Sequence, residues 1–102
     1  MGILTEKEVK LDPVSQVLYF EISPEEIQQL EVQPHDSIIV YFGKKDILGN
    51  YRQIFFSTEE ELNEPVQIIL NEYDFEKIGP VEPGDKLKVY MKVEKYRPYE
   101  KW

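Results

Sequence analysis

Val32-Gln33-Pro34-His35-Asp36-Ser37-Ile38-Ile39-Val40-Tyr41 and Val81-Glu82-Pro83-Gly84-Asp85-Lys86-Leu87-Lys88-Val89-Tyr90 agree at five of ten positions, so the chain reads as one structural unit written twice. A second block recurs in the same order: Pro13-Val14-x-x-Val17-Leu18, then Pro65-Val66-x-x-Ile69-Leu70. A period of about half the chain marks a supersecondary unit that buries its apolar face only against its neighbour. Repeat one is assigned to residues 1–47 and repeat two to 48–102 of a single domain.

Each copy reads as strand, strand, short helix, strand. In copy one, Val14 to Ile22 is a β-branched and aromatic run after the turn pair Asp12-Pro13. Ser23-Pro24-Glu25-Glu26 then starts a helix: Ser23 caps, Pro24 suits the first helical position, and Glu26 completes a capping box. Ile27 and Leu30 give that helix one apolar edge, and Pro34 limits it to about two turns. In copy two, Val66 to Leu70 is the strand, Asn71 to Ile78 the helix with Phe75 and Ile78 at the same spacing, and Gly79-Pro80 its stop.

Both copies then pass through Pro-x-Asp into a strand. Ile38 to Phe42 is apolar on both faces, as in a central or covered strand. In Leu87 to Val93, apolar residues alternate with Lys86, Lys88, Tyr90 and Lys92, so one face meets water or a partner. Asn50 to Ser57 opens copy two, with Ile3 to Val9 its counterpart, and Gly43 to Gly49 joins the copies. The expected fold is α+β, two tandem β-β-α-β repeats about a pseudo-twofold axis.

Composition narrows the class. A chain of 102 residues, 41% hydrophobic, is long enough for one core and too short for two. It contains no Cys, which excludes a disulfide framework and thiolate metal sites. The stretch Met1 to Lys7 has neither a signal-peptide core nor a myristoylation pattern. No apolar run approaches membrane-spanning length, so an intracellular protein is expected. The net charge of −8 disfavours nucleic acid, whose phosphates would be repelled.

The stretch Val81 to Val89, apolar-x-x-Gly-Asp-x-apolar-x-apolar between a short helix and a strand, resembles the Gly-Asp box of the cradle-loop barrels. That group includes double-psi barrels, riboflavin-synthase-like barrels and AbrB-type transcription factors, built from two β-β-α-β halves. The resemblance implies a small barrel. Copy one departs from it, with His35-Asp36 in place of Gly-Asp, so the tight turn that glycine permits is not assured there. The palette, rich in Ile, Tyr, Lys and Glu and without Ala or Cys, resembles that of small orphan proteins of filamentous viruses of hyperthermophilic archaea, which implies the host cytoplasm but no activity and no site residues.

No residue constellation identifies a reaction. His35 is the only histidine, in a turn, without a Cys or second His to form a dyad. Asp36 and Asp85 recur, but an Asp at a turn bonds its own backbone two residues on. Glu59-Glu60-Glu61 lacks the spaced further ligands that a hard cation needs. Phosphate loops, Ser elbows and HExxH are absent. Neither a catalytic residue, a cofactor nor a metal is assigned, and the protein reads as a non-enzyme.

Two features favour binding. The tail Lys95-Tyr96-Arg97-Pro98-Tyr99-Glu100-Lys101-Trp102 packs aromatics and cations into eight residues, as contact surfaces do, although those aromatics could equally fold back over the core. The last strand offers Lys88, Tyr90 and Lys92, with Ile39 and Tyr41 at the matching place in copy one; its lysines could instead blunt an edge strand. The candidate partner-binding residues are therefore Ile39, Tyr41, Lys88, Tyr90, Tyr96, Tyr99 and Trp102. The function expected is a protein-protein interaction module, monomeric or homodimeric, taking an extended peptide or partner terminus in a groove between the repeats. The alternatives are an AbrB-like regulator binding nucleic acid and a small-molecule-binding enzyme domain of barrel type.

Overall fold

Ser23 and Asn71 start the two helices by the same reciprocal device. Ser23 Oγ accepts the Glu26 N–H at 3.2 Å while the Glu26 carboxylate accepts the Ser23 N–H at 2.9 Å, opening α1 (Pro24–Gln29). Asn71 and Asp74 repeat the exchange at 3.2 and 2.8 Å to open α2 (Glu72–Ile78). Each exchange satisfies two donors that a helix start leaves orphaned. Gly79, at φ 89°, ends α2.

A computed structural model describes residues 2–98. Around the helices run β1 (Gly2–Glu8), β2 (Lys10–Leu11), β3 (Leu18–Ile22), β4 (Ser37–Gly43), β5 (Asn50–Phe55), β6 (Val66–Leu70) and β7 (Lys86–Glu94), with one 3₁₀ turn at Glu61–Asn63. They form two antiparallel sheets, ordered β1-β7-β4-β5 and β2-β3-β6. The result is a single α+β domain. Its strands make two open sheets, so the closed barrel implied by the Gly-Asp box is not formed.

The core lies between the sheets. Ile38, Val40 and Phe42 of β4 and Leu87, Val89 and Met91 of β7 alternate inward, and all are fully buried. Phe20 and Ile22 of β3 and Ile68 of β6 complete it, with the Phe20 and Phe42 rings edge-on at 5.4 Å. Ile27 and Leu30 close it from the α1 side, and Phe75 and Ile78 pack on it from α2. Each such side chain stabilises the fold by ~2 kcal/mol relative to exposure.

The two Pro-x-Asp turns carry matching hydrogen bonds. Asp36 Oδ2 accepts the Gln33 N–H at 3.0 Å, and Asp85 Oδ2 accepts the Glu82 N–H at 2.8 Å. The carboxylates thus bond three residues back, not two residues on. His35 N–H and the Asp36 carbonyl bond Phe56, as Gly84 N–H and the Asp85 carbonyl bond Val9. His35 at φ 77° and Gly84 at φ 92° both take the left-handed conformation, so histidine forms the turn that glycine was expected to own.

Four expectations need correction. β3 begins at Leu18 rather than Val14, because Asp12 Oδ1 accepts the N–H groups of Val14 and Ser15 and holds a turn there; Val14 is 91% exposed. Pro13-Val14 and Pro65-Val66 consequently do not match in space, since Val66 already lies in β6, and the β3–β6 register sets Phe20 opposite Ile68. β7 is no edge strand: it lies between β1 and β4. The β4–β7 ladder runs unbroken from Ser37↔Glu94 to Gly43↔Lys88, so the seam where a groove with open backbone was expected is closed by hydrogen bonding.

Candidate binding face

The same alternation that sends Val40 and Val89 inward sends their neighbours to the outer face of the four-stranded sheet. The ladders align Leu4 with Tyr90, Tyr90 with Tyr41 and Tyr41 with Tyr51, so one apolar row crosses all four strands. The Tyr41 ring lies 6.2 Å from Tyr90 and 5.9 Å from Tyr51. Tyr90 also leans over Gly2, where any Cβ would collide with its ring. Tyr41 and Tyr90 are half-buried by these contacts, whereas Leu4 and Tyr51 are 63% and 59% exposed.

Charge around the row is balanced. Lys92 stands 6.0 Å above the Tyr41 ring, opposite Ile39 in the next row. Lys88 donates to Asp46 at 2.8 Å, which raises the lysine pKa and lowers that of the aspartate. Lys86, Lys88 and Lys92 on the outer side of β7 are offset by Glu94 and by Glu6 and Glu8 of β1, and the outer side chains of β4 and β5 carry no charge.

Four of the candidate residues, Ile39, Tyr41, Lys88 and Tyr90, therefore share this face. Tyr96 does not join them. Its backbone N–H donates to Asp36 Oδ1 at 2.8 Å, its ring lies 5.4 Å from His35, and it is 56% exposed beside the turn at residues 33–36. Lys95 adds a bond to Asp36 Oδ2 at 3.1 Å. Burial raises the Asp36 pKa, but the N–H groups of Tyr96 and Gln33 and the Lys95 ammonium outweigh it and hold the carboxyl below its ordinary value. Tyr99 and Trp102 lie outside the described residues.

Leu4, Tyr51 and Phe55 were not singled out in the sequence, although the alternation of Asn50-Tyr51-Arg52-Gln53-Ile54-Phe55 signals an outer set. Asp74 was missed too. Fully buried, it accepts from Asn50 Nδ2 at 2.5 Å and from both Arg52 terminal nitrogens at 2.8 and 2.7 Å, tying α2 to β5. The Asn71-x-x-Asp74 spacing was its available signal. Burial pushes its pKa up, and the Arg52, Asn71 and Asn50 bonds overcome that and lower it.

Elsewhere chemistry is sparse. A depression of about 440 Å³ is lined by Lys7, Lys10, Glu21 and Ser23 among others. Both of its lysines are held in ion pairs, Lys7 with Glu26 at 2.5 Å and Lys10 with Glu21 at 3.9 Å. Glu61 accepts from Ser57 N–H and Thr58 Oγ1 at the end of the acidic run. Among the described residues, no three acidic or histidine side chains group where they could hold a metal ion, and no helix is long and apolar enough to cross a membrane. No protein-family model, curated protein or solved structure matches the chain.

Proposed function

We propose that the protein is a non-enzymatic interaction module, two tandem β-β-α-β units about a pseudo-twofold axis, that binds a protein partner on the outer face of its four-stranded sheet. The observation that carries this reading is the uncovered row of Leu4, Tyr90, Tyr41 and Tyr51. A contiguous apolar patch rimmed by polar residues on a soluble domain marks an interaction site, and tyrosine supplies contact area at low entropic cost. A partner's extended segment would lie across this face, since the seam between the units is paired.

The pseudo-twofold reading has its own support. Tyr41 and Tyr90 close the two related stretches and are ladder partners; Phe20 and Ile68, each two residues before the end of the strand leading to a helix cap, are partners too. An axis through both pairs would exchange the units. β1 with Val9 and β5 with Phe56 also show one burial alternation. Against nucleic acid stands the charge balance: Lys86, Lys88 and Lys92 face Glu6, Glu8, Glu94 and Asp46, so the face carries no net positive charge to compensate a phosphate backbone.

The test starts from a random peptide library displayed on phage and selected against the full chain. A selected peptide, titrated into isotopically labelled protein, should shift amide resonances of β4, β7 and β5. Shifts confined to the β2-β3-β6 sheet or the helices would contradict the assignment.

A further inference from the structure

We infer that two copies of the chain form a twofold dimer by antiparallel pairing of β5 with β5, centred on Gln53. The basis is the β5 backbone, with Tyr51 of the tyrosine row entering only in the choice of register. Phe56 directs both its N–H and its carbonyl to residues 35 and 36 on the β4 side. Backbone groups alternate sides along an antiparallel strand, so Ile54 and Arg52 also bond β4, whereas Phe55, Gln53 and Tyr51 point donors and acceptors away from the sheet. β5 is the last strand on that side.

The other three edges are defended. By the same alternation from Val9, which bonds Asp85 and Gly84, the outward groups of β1 belong to Leu4, Glu6 and Glu8, and the two carboxylates oppose pairing with a like strand. β2 is only two residues long. On β6, the Ile69 carbonyl is taken by Arg52 Nη2 at 2.8 Å. β5 has uncharged side chains at its outward positions and no proline.

Symmetry selects the register. With Gln53 opposite Gln53 of the second copy, Tyr51 falls opposite Phe55, giving two aromatic cross-strand pairs from side chains that are 59% and 66% exposed in the single chain. A centre at Arg52 would set two arginines opposite each other and present backbone groups already bonded to β4. Because each chain has one such edge, the pairing is isologous and consumes both, so assembly stops at two copies and does not continue as a filament. The paired sheet joins the two outer faces into one.

Sedimentation equilibrium of the full chain, from micromolar to millimolar concentration, should give twice 12.1 kDa. Gln53→Pro removes an N–H that β4 does not use, a substitution edge strands tolerate, and should halve the mass while the circular dichroism stays that of a folded protein. If Q53P fails to fold, Gln53→Lys decides: it sets two ammonium groups across the axis without touching the backbone and should also yield monomer. Gln53→Cys should link to itself on oxidation, in a chain with no native cysteine. A parent that sediments at 12.1 kDa throughout, or a Q53K that stays dimeric, overturns the inference. A monomeric parent that still binds the selected peptide would overturn this inference and leave the tyrosine face standing; a dimer that binds none would do the reverse.

Discussion

Tyr41 and Tyr90, the closing residues of the two related stretches, stand directly opposite each other in the β4–β7 ladder with their rings 6.2 Å apart. One residue earlier in each stretch, Val40 and Val89 turn to the other side and are completely buried. The paired strands thus serve two ends, a packed core on one face and an uncovered aromatic row on the other.

If the two units are equivalent, their inward valines should be equally indispensable. Val40→Asp and Val89→Asp each bury a carboxylate with no partner, at a cost of about 4 kcal/mol or more. Thermal unfolding should show both variants unfolded or melting far below the parent, by similar amounts. Melting temperatures near that of the parent would refute this packing.

The turn pair differs in residue but not in conformation, and that predicts unequal responses. His35 holds φ 77° against its side chain's preference, so His35→Gly should stabilise by about 0.5 kcal/mol, less what the Tyr96 ring contact supplies. Gly84 has open space around it, yet φ 92° makes Gly84→Val cost about 1–2 kcal/mol through backbone strain alone. Chemical denaturation of both variants measures the two signs.

Acid should loosen the β5–α2 junction. Asp74 has its pKa lowered in the folded state, so the unfolded chain binds more protons in the acid range and stability rises with pH there. The contribution is complete above the ordinary carboxylate pKa of about 4 and is lost as pH falls through the depressed folded value. Asp74→Asn removes that titration: stability at neutral pH should fall by about 3 kcal/mol, and the slope below pH ~4 should flatten. An unchanged slope would mean that other carboxylates, Glu26 and Asp36 among them, carry the acid response.

What was legible in the sequence was written in local chemistry. Ser23-Pro24-Glu25-Glu26 announced α1, Gly79-Pro80 the end of α2, and the alternation from Leu87 to Val93 the two faces of β7. Misreadings arose where a short-range bond competed with propensity. Val14 to Val17 has strand-forming residues, but the Asp12 carboxylate captures two backbone donors and Gln16 turns to φ 62°, delaying β3 to Leu18. The interior place of β7 depends on partners more than forty residues away in sequence, Gly43 and Gly2 among them, and no local pattern encodes it. For the face, Tyr41 and Tyr90 were readable from their repetition, whereas Leu4 and Tyr51 join them only through the ladder registers.

The central claim is that this face binds and does not merely pack. Tyr41→Ala combined with Tyr90→Ala separates the two, read by thermal unfolding together with calorimetric titration of the peptide selected against the parent. The account predicts a cooperative transition retained and affinity weakened by ~2 kcal/mol or more, as for aromatic anchors at the centre of an interface. An unfolded double variant, or a folded one that binds the peptide undiminished, would contradict it.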